Sequence, residues 1–244
     1  LGLKAAKGMH KAANEELCGS DEELDAALQN PAFKAVAPAI SADALTLVKY
    51  KDEGVLPLSP EKTKRIMIVN VKGPETPMGK IMAAVMGGKA KKAPVEVLCE
   101  KLNEKGFEAF IYESPLDKVM KEMQEGKPFN MNLYFAGKNA ISEFVSGMDL
   151  VITLFDVANG HPVFGMSKGG GEIPWYVHEI PVVGISVNKP TMLADAPMLR
   201  TYINTYDSNP DTMDALVDAL LTGPAAFKGT DPIDSYCGMW DTHM

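Results

Sequence analysis

Apolar and polar positions fall into two alternating rhythms from residue 64 onward. Arg65 to Val71 reads RIMIVNV, the near-continuous apolar run of a strand buried on both faces. Pro94 to Lys105 then takes helical spacing, with Val95, Leu98, Cys99 and Leu102 on one stripe and Gly106 as the stop. Glu108 to Tyr112, Asp149 to Phe155, Pro181 to Val187 and Arg200 to Tyr206 are four further predicted strands. A well-punctuated helix follows: Asn209 is placed to cap it, Pro210 to open it and Gly223 to end it. Its Met213, Leu216, Val217 and Leu220 fall at i, i+3, i+4 and i+7, so one face is buried.

Ahead of this alternation the pattern is helical. Ser20 with Glu23 makes a capping box before Leu24 and Leu28. Pro31 opens a second helix reaching about Ala44, which Pro38 is expected to kink or interrupt. Residues 114–148 are helical in places and otherwise ambiguous. Strands alternating with helices predict an α/β fold of the doubly wound, flavodoxin-like kind, a three-layer sandwich with a mostly parallel sheet between helical layers. The expected division is linker helices over 1–40 and the sandwich domain over 41–244.

Composition narrows the function. The 244 residues are 46% hydrophobic and 23% charged, enough for one sizeable core. A net charge of -8 argues against nucleic acid as partner. The basic group Lys80, Lys89, Lys91 and Lys92 reads as a solvated loop. No apolar stretch approaches the roughly 20 residues that span a bilayer. Cys18, Cys99 and Cys237 have no CxxC spacing and are odd in number, which fits free thiols in the cytoplasm. His10, His161, His178 and His243 lack metal-ligand spacing, so neither a metal nor a cofactor is expected.

In an open parallel sheet, ligands collect beyond the carboxyl ends of strands. Three predicted loops qualify: Lys72 to Thr76, Asp156 to His161, and Asn188 to Pro190. The first has one glycine where a dinucleotide fingerprint needs three, and Lys168–Gly171 follows no strand directly, so it reads as a linker or lid rather than a phosphate cradle. The second loop is the better candidate. Asp156, Asn159 and His161 put a carboxylate, an amide and an imidazole together, and Trp175 is an available stacking platform. The plain alternative is that Asp156 caps a turn and His161 is merely exposed. His178 with Glu179 reads as packing. Cys237 reads as a structural thiol, and Tyr236 and Trp240 as pins for the tail.

The wording at both ends carries more than its periodicity. PTMLADAPMLRTYINTY before the last helix, and FKGTDPIDSYCGMWDT after it, closely resemble the C-terminal end of two-domain glycoside hydrolase family 3 enzymes of the β-N-acetylhexosaminidase kind. SADALTLVKYKDEGVLPLSPEKTKRIMIVNV resembles the entry into that family's second domain, and LGLKAAKGMHKA its last barrel helix and linker. With Leu1 in place of a starting Met, the chain reads as a piece of a longer protein. The resemblance implies an α/β sandwich domain that packs on a catalytic barrel and helps wall the active site of an exo-acting glycosidase, with carbohydrate at the domain interface. It also implies that the nucleophilic Asp and a His–Asp acid/base pair lie on the barrel, so no catalytic residue is expected here. Where the family carries an Arg, this sequence reads VFGMSK, which departs from its sugar contacts. Some branches, the β-glucosidases, place an acid/base Glu on the second domain; Glu172 lies in a plausible loop for it, without a supporting motif. The rival expectation is a stand-alone flavodoxin-like module binding a small polar or sugar ligand.

Overall fold

The computed structural model describes residues 20–73, 92–113, 115–129, 131, 147–158, 160–162, 166–167, 170–171, 177 and 179–233. The chain divides into two compact units, one ending at Ile40 and the other beginning at Ser41.

In the first unit, α1 (Asp21–Leu28) starts at the capping box: Ser20 Oγ accepts the Glu23 amide at 3.2 Å, and Glu23 Oε2 accepts the Ser20 amide at 3.1 Å. The next helix, α2 (Pro31–Ala44), runs into the start of the second unit and continues through Pro38, which does not interrupt it.

A six-stranded sheet forms the second unit, in the order β1-β8-β7-β4-β2-β3. Its strands are β1 (Thr46–Tyr50), β2 (Arg65–Lys72), β3 (Glu108–Ile111), β4 (Leu150–Asp156), β7 (Val182–Ser186) and β8 (Thr201–Asn204). All neighbours pair in parallel except the edge pair β1 and β8. The five strands anticipated from the sequence are present, with ends one or two residues away. The sixth, β1, was hidden in TLVKY, which is buried at Thr46 and half-buried beyond it, and so lacks the apolar run of a central strand. Within the Gly-rich stretch, β5 (Met166–Ser167) pairs antiparallel with β6 (Gly170–Gly171) as a small separate ladder rather than a plain linker.

Alternation along each strand sends side chains into two cores. On one face, Ile66, Ile68, Ile152, Leu154, Ile185 and Ile203 pack on Leu98 and Leu102 of α3 (Pro94–Glu104) and on Met213, Leu216 and Leu220 of α5 (Pro210–Thr222). Lys101 pairs with Asp214, and Lys105 with Asp218 at 2.9 Å, so one-turn spacing on each helix makes a two-rung charged ladder over this layer. On the other face, Met67, Val151, Phe155 and Tyr202 pack on Met192 and Leu193 of a 3-10 helix (Pro190–Ala194) and on Leu199. Gly184 makes room there, since a Cβ would meet Tyr202 Cδ2 at 2.9 Å and press into Leu199. The helix α4 (Pro115–Gln124) buries Val119 completely.

Candidate functional site

The strand order reverses at β2. From β2 the chain passes to β3 on one side, then returns to β4 on the other. Open α/β sheets bind ligands at such a reversal, beyond the carboxyl ends of the strands. Parallel pairing sets Lys72, the last residue of β2, beside Asp156, the last of β4.

Asp156 is half-buried, and its Oδ1 accepts the Asn188 side-chain amide at 2.7 Å. Asn188 follows β7, which adjoins β4, so a neighbouring strand holds the carboxylate. The loop after β4 is tied to the loop after β7 at two more points. Lys189 Nζ donates to the Gly160 carbonyl at 2.7 Å, and His161 Nδ1 lies 2.9 Å from Asp195 Oδ1. Ser186 Oγ in turn donates to the Lys189 carbonyl at 2.6 Å, which fixes the base of the second loop. His161 is 83% exposed, whereas Asp195 is 25% exposed. The imidazole therefore stands in solvent with a fixed carboxylate on one side.

Asp156 and His161 are thus held by different partners. Asp156 continues the face of Ile152 and Leu154, under α3 and α5. His161 is tied to the end of the 3-10 helix that covers the opposite face. Asn159 and Trp175 lie outside the described residues, as do Glu172, His178, Cys18, Tyr236, Cys237, Trp240 and the lysines at 80, 89 and 91. Of that basic group, Lys92 is described and is paired with Glu100 at 2.7 Å, with its pKa raised by that bond. Glu179 is exposed. Cys99 donates to the Ala109 carbonyl at 3.3 Å, and burial pushes its thiol pKa up, against the lowering effect of Asn103. That is the environment of an inert thiol. Among the described residues no group of three His, Cys, Asp or Glu is placed to hold a metal ion, and no helix is long and apolar enough to cross a membrane.

Sequence reasoning passed over Asn70. It lies inside the apolar RIMIVNV run, yet its Oδ1 is buried and has no hydrogen-bond partner among the described residues. The available signal was a lone amide in an otherwise apolar strand, two residues before its carboxyl end.

A six-stranded, mostly parallel sheet with helices packed on it, and polar loops at its carboxyl ends, defines an α/β sandwich domain. No family model matches the chain. It is 30% identical over its whole length to a beta-N-acetylglucosaminidase/beta-glucosidase of Cellulomonas fimi, of which it spans 39%. Its structure superposes on beta-glucoside phosphorylase BglX with a TM-score of 0.67 and 25% identity, covering 99% of this chain and 38% of that one. A glycoside hydrolase family 3 beta-N-acetylglucosaminidase from Paenibacillus sp. str. FPU-7 shares the fold at a TM-score of 0.50 and 15% identity, over 94% of this chain and 36% of that one. In sequence and fold the chain is thus similar to one portion of these longer enzymes, spanning 36–39% of each, as a C-terminal α/β domain of the glycoside hydrolase family 3 kind would.

Proposed function

We propose that this chain is the second domain of an exo-acting, glycoside-cleaving enzyme of the β-N-acetylglucosaminidase type. It packs on a catalytic barrel, walls the active-site cleft with its carboxyl-end loops, and cleaves nothing alone. The carrying observation is 30% identity over the whole chain to an enzyme of which it spans 39%. In this reading Asp156, Asn159, His161 and Trp175 are the side chains offered to the sugar, and residues 1–40 lead in from the barrel. Supporting a docking role, the leading helices turn Leu24 (57% exposed), Leu28 (59%) and Ile40 (63%) to solvent. Retaining hydrolysis uses two carboxylates about 5–5.5 Å apart, and the resemblance assigns the nucleophile to the barrel. The unpaired cysteine pattern favours the cytoplasm as its compartment.

A second reading of the chemistry, phosphorolysis in place of hydrolysis, is favoured by the similarity to a beta-glucoside phosphorylase. The test begins with an immunoblot of the source cells using an antibody to this chain. The expected band lies well above the chain's 26.3 kDa. The protein in that band should release p-nitrophenol from the aryl N-acetyl-β-glucosaminide. Sugar 1-phosphate formed when phosphate is added would select phosphorolysis. A band at the chain's own size, without such activity, would leave the stand-alone binding module.

A further inference from the structure

We propose that the crevice at the strand-order reversal binds a neutral, hydroxyl-rich ligand, gripped by Asn70 and Lys72 of β2 and by Asp156 of β4 with Asn188 behind it. The inference rests on the glycoside reading above and deepens it. It moves the principal contacts off the exposed His161 loop and onto two central strands.

Three observations converge. The first is register. Asn70 stands beside Leu154 and Lys72 beside Asp156, so a period of two puts Asn70, Lys72 and Asp156 on one face, at the carboxyl end. Ile66, Ile68 and Leu154 occupy the same face deeper in, as the apolar floor.

The second is the unmet hydrogen-bonding capacity of the group. Asn70 Oδ1 is shut away from water with no donor among the described residues, which is costly unless a donor arrives. Asp156 uses one oxygen on Asn188, which fixes its carboxylate plane. Its second oxygen accepts no hydrogen bond among the described residues. The buried Asn70 acceptor calls for a ligand that brings a hydroxyl proton, and the free oxygen of the half-buried Asp156 is available to accept a second.

The third is charge. Asp156 sits beside Lys72 and offsets it, so the pair gives no net attraction for phosphate or a nucleotide. A carboxylate and an amide for adjacent hydroxyls, with one ammonium donating to a ring or hydroxyl oxygen, is recognition chemistry for a sugar ring. Asn188 is the positioning residue: it orients Asp156 and need not touch the ligand.

The test is an amide-NMR titration of the whole 244-residue chain with N-acetyl-D-glucosamine, D-glucose and inorganic phosphate. The expected result is saturable shifts in the millimolar range, for at least one sugar, at Asn70, Lys72, Asp156 and Asn188. Phosphate should not displace the sugar. Asn70→Leu should weaken binding by about tenfold, the value of one lost buried hydrogen bond, while its Tm holds or rises, because the replaced atom had no partner in the fold. Asp156→Asn should weaken binding and leave Tm within error. A fall in Tm for Asn70→Leu would give that amide a structural job and overturn the proposal. So would displacement by phosphate, shifts confined to the loop around His161, or no saturable shift with either sugar. The native band size and the aryl-glycoside assay do not depend on this titration, so the two readings fail separately.

Discussion

Tyr202 shows how far one side chain's surroundings reach. It is fully buried against Phe155, with ring centroids 6.2 Å apart, in the core between the sheet and the 3-10 helix. Burial pushes its phenol far above the usual tyrosine range. The Asp231 carboxylate adds to that shift, and the nearby Ser186 hydroxyl offsets part of it. A folded-state pKa above the unfolded value contributes stability that is complete below the unfolded pKa of about 10 and is lost as pH rises beyond it. Tyr202→Phe should therefore leave neutral stability little changed and move the alkaline unfolding midpoint upward. Circular dichroism against pH reads both, and an unshifted alkaline limb would assign that limb to other groups. Gly229 is a second single-residue constraint. Its amide donates to the Leu45 carbonyl at 2.9 Å, and a Cβ there would run into Thr46 Oγ1 and the carbonyls of Ala44 and Leu45. Gly229→Ala should cost about 1–3 kcal/mol through overpacking. A urea titration measures it, and an unchanged midpoint would mean the tail gives way freely.

At the scale of elements, α5 illustrates how local rules and packing agree. Asn209 Oδ1 accepts the Thr212 amide at 2.8 Å, Pro210 begins the helix, and Gly223 closes it with φ at 105°. Asn209→Ala should remove about 1 kcal/mol and lower Tm, whereas Asn209→Asp should keep most of it; equal losses would show that the cap is not the source. The helix buries the face that its spacing announced. The apolar stripe of α3 is likewise as its sequence reads, with Cys99 half-buried at its margin. Two elements were less legible. The edge strand β1 is recognised only through its pairing with β8, since its own alternation is blurred by half-burial and a register shift between Leu47 and Lys49. The helix α2 runs on through Pro38 although an interior proline removes a helix hydrogen bond and crowds the preceding turn, so propensity alone reads a break where none occurs.

For the whole molecule, the informative surface is the one that faces outward without need. Leu24 and Leu28 on α1 are four residues apart, as are Val36 and Ile40 on α2, so each pair makes one apolar stripe. If these stripes dock on a barrel in the parent enzyme, the isolated chain should self-associate as its concentration rises. Leu28→Lys with Ile40→Lys should then return it to a monomer of about its sequence mass. Sedimentation velocity decides: a wild-type chain that stays monomeric at high concentration would count against docking through these helices. The isolated chain should also leave aryl glycosides intact, and turnover that survives its purification to homogeneity would overturn the assignment of catalysis to the barrel.

What the sequence determined by itself was the kind of fold and the kind of enzyme it resembles. Apolar runs and helical stripes are local properties of the chain, set by the pitch of strands and helices. The terminal phrases around TYINTY and FKG are likewise carried in the order of residues. Tertiary structure decided which polar groups meet. Asp156 and His161, five residues apart and read as one cluster, are held by different partners, Asn188 and Asp195. Asn70, eighty-six positions before Asp156 and hidden in an apolar run, reaches the same face and end of the sheet. The reason is that strand order and register, which the spacing of residues along one strand does not encode, set which side chains become neighbours.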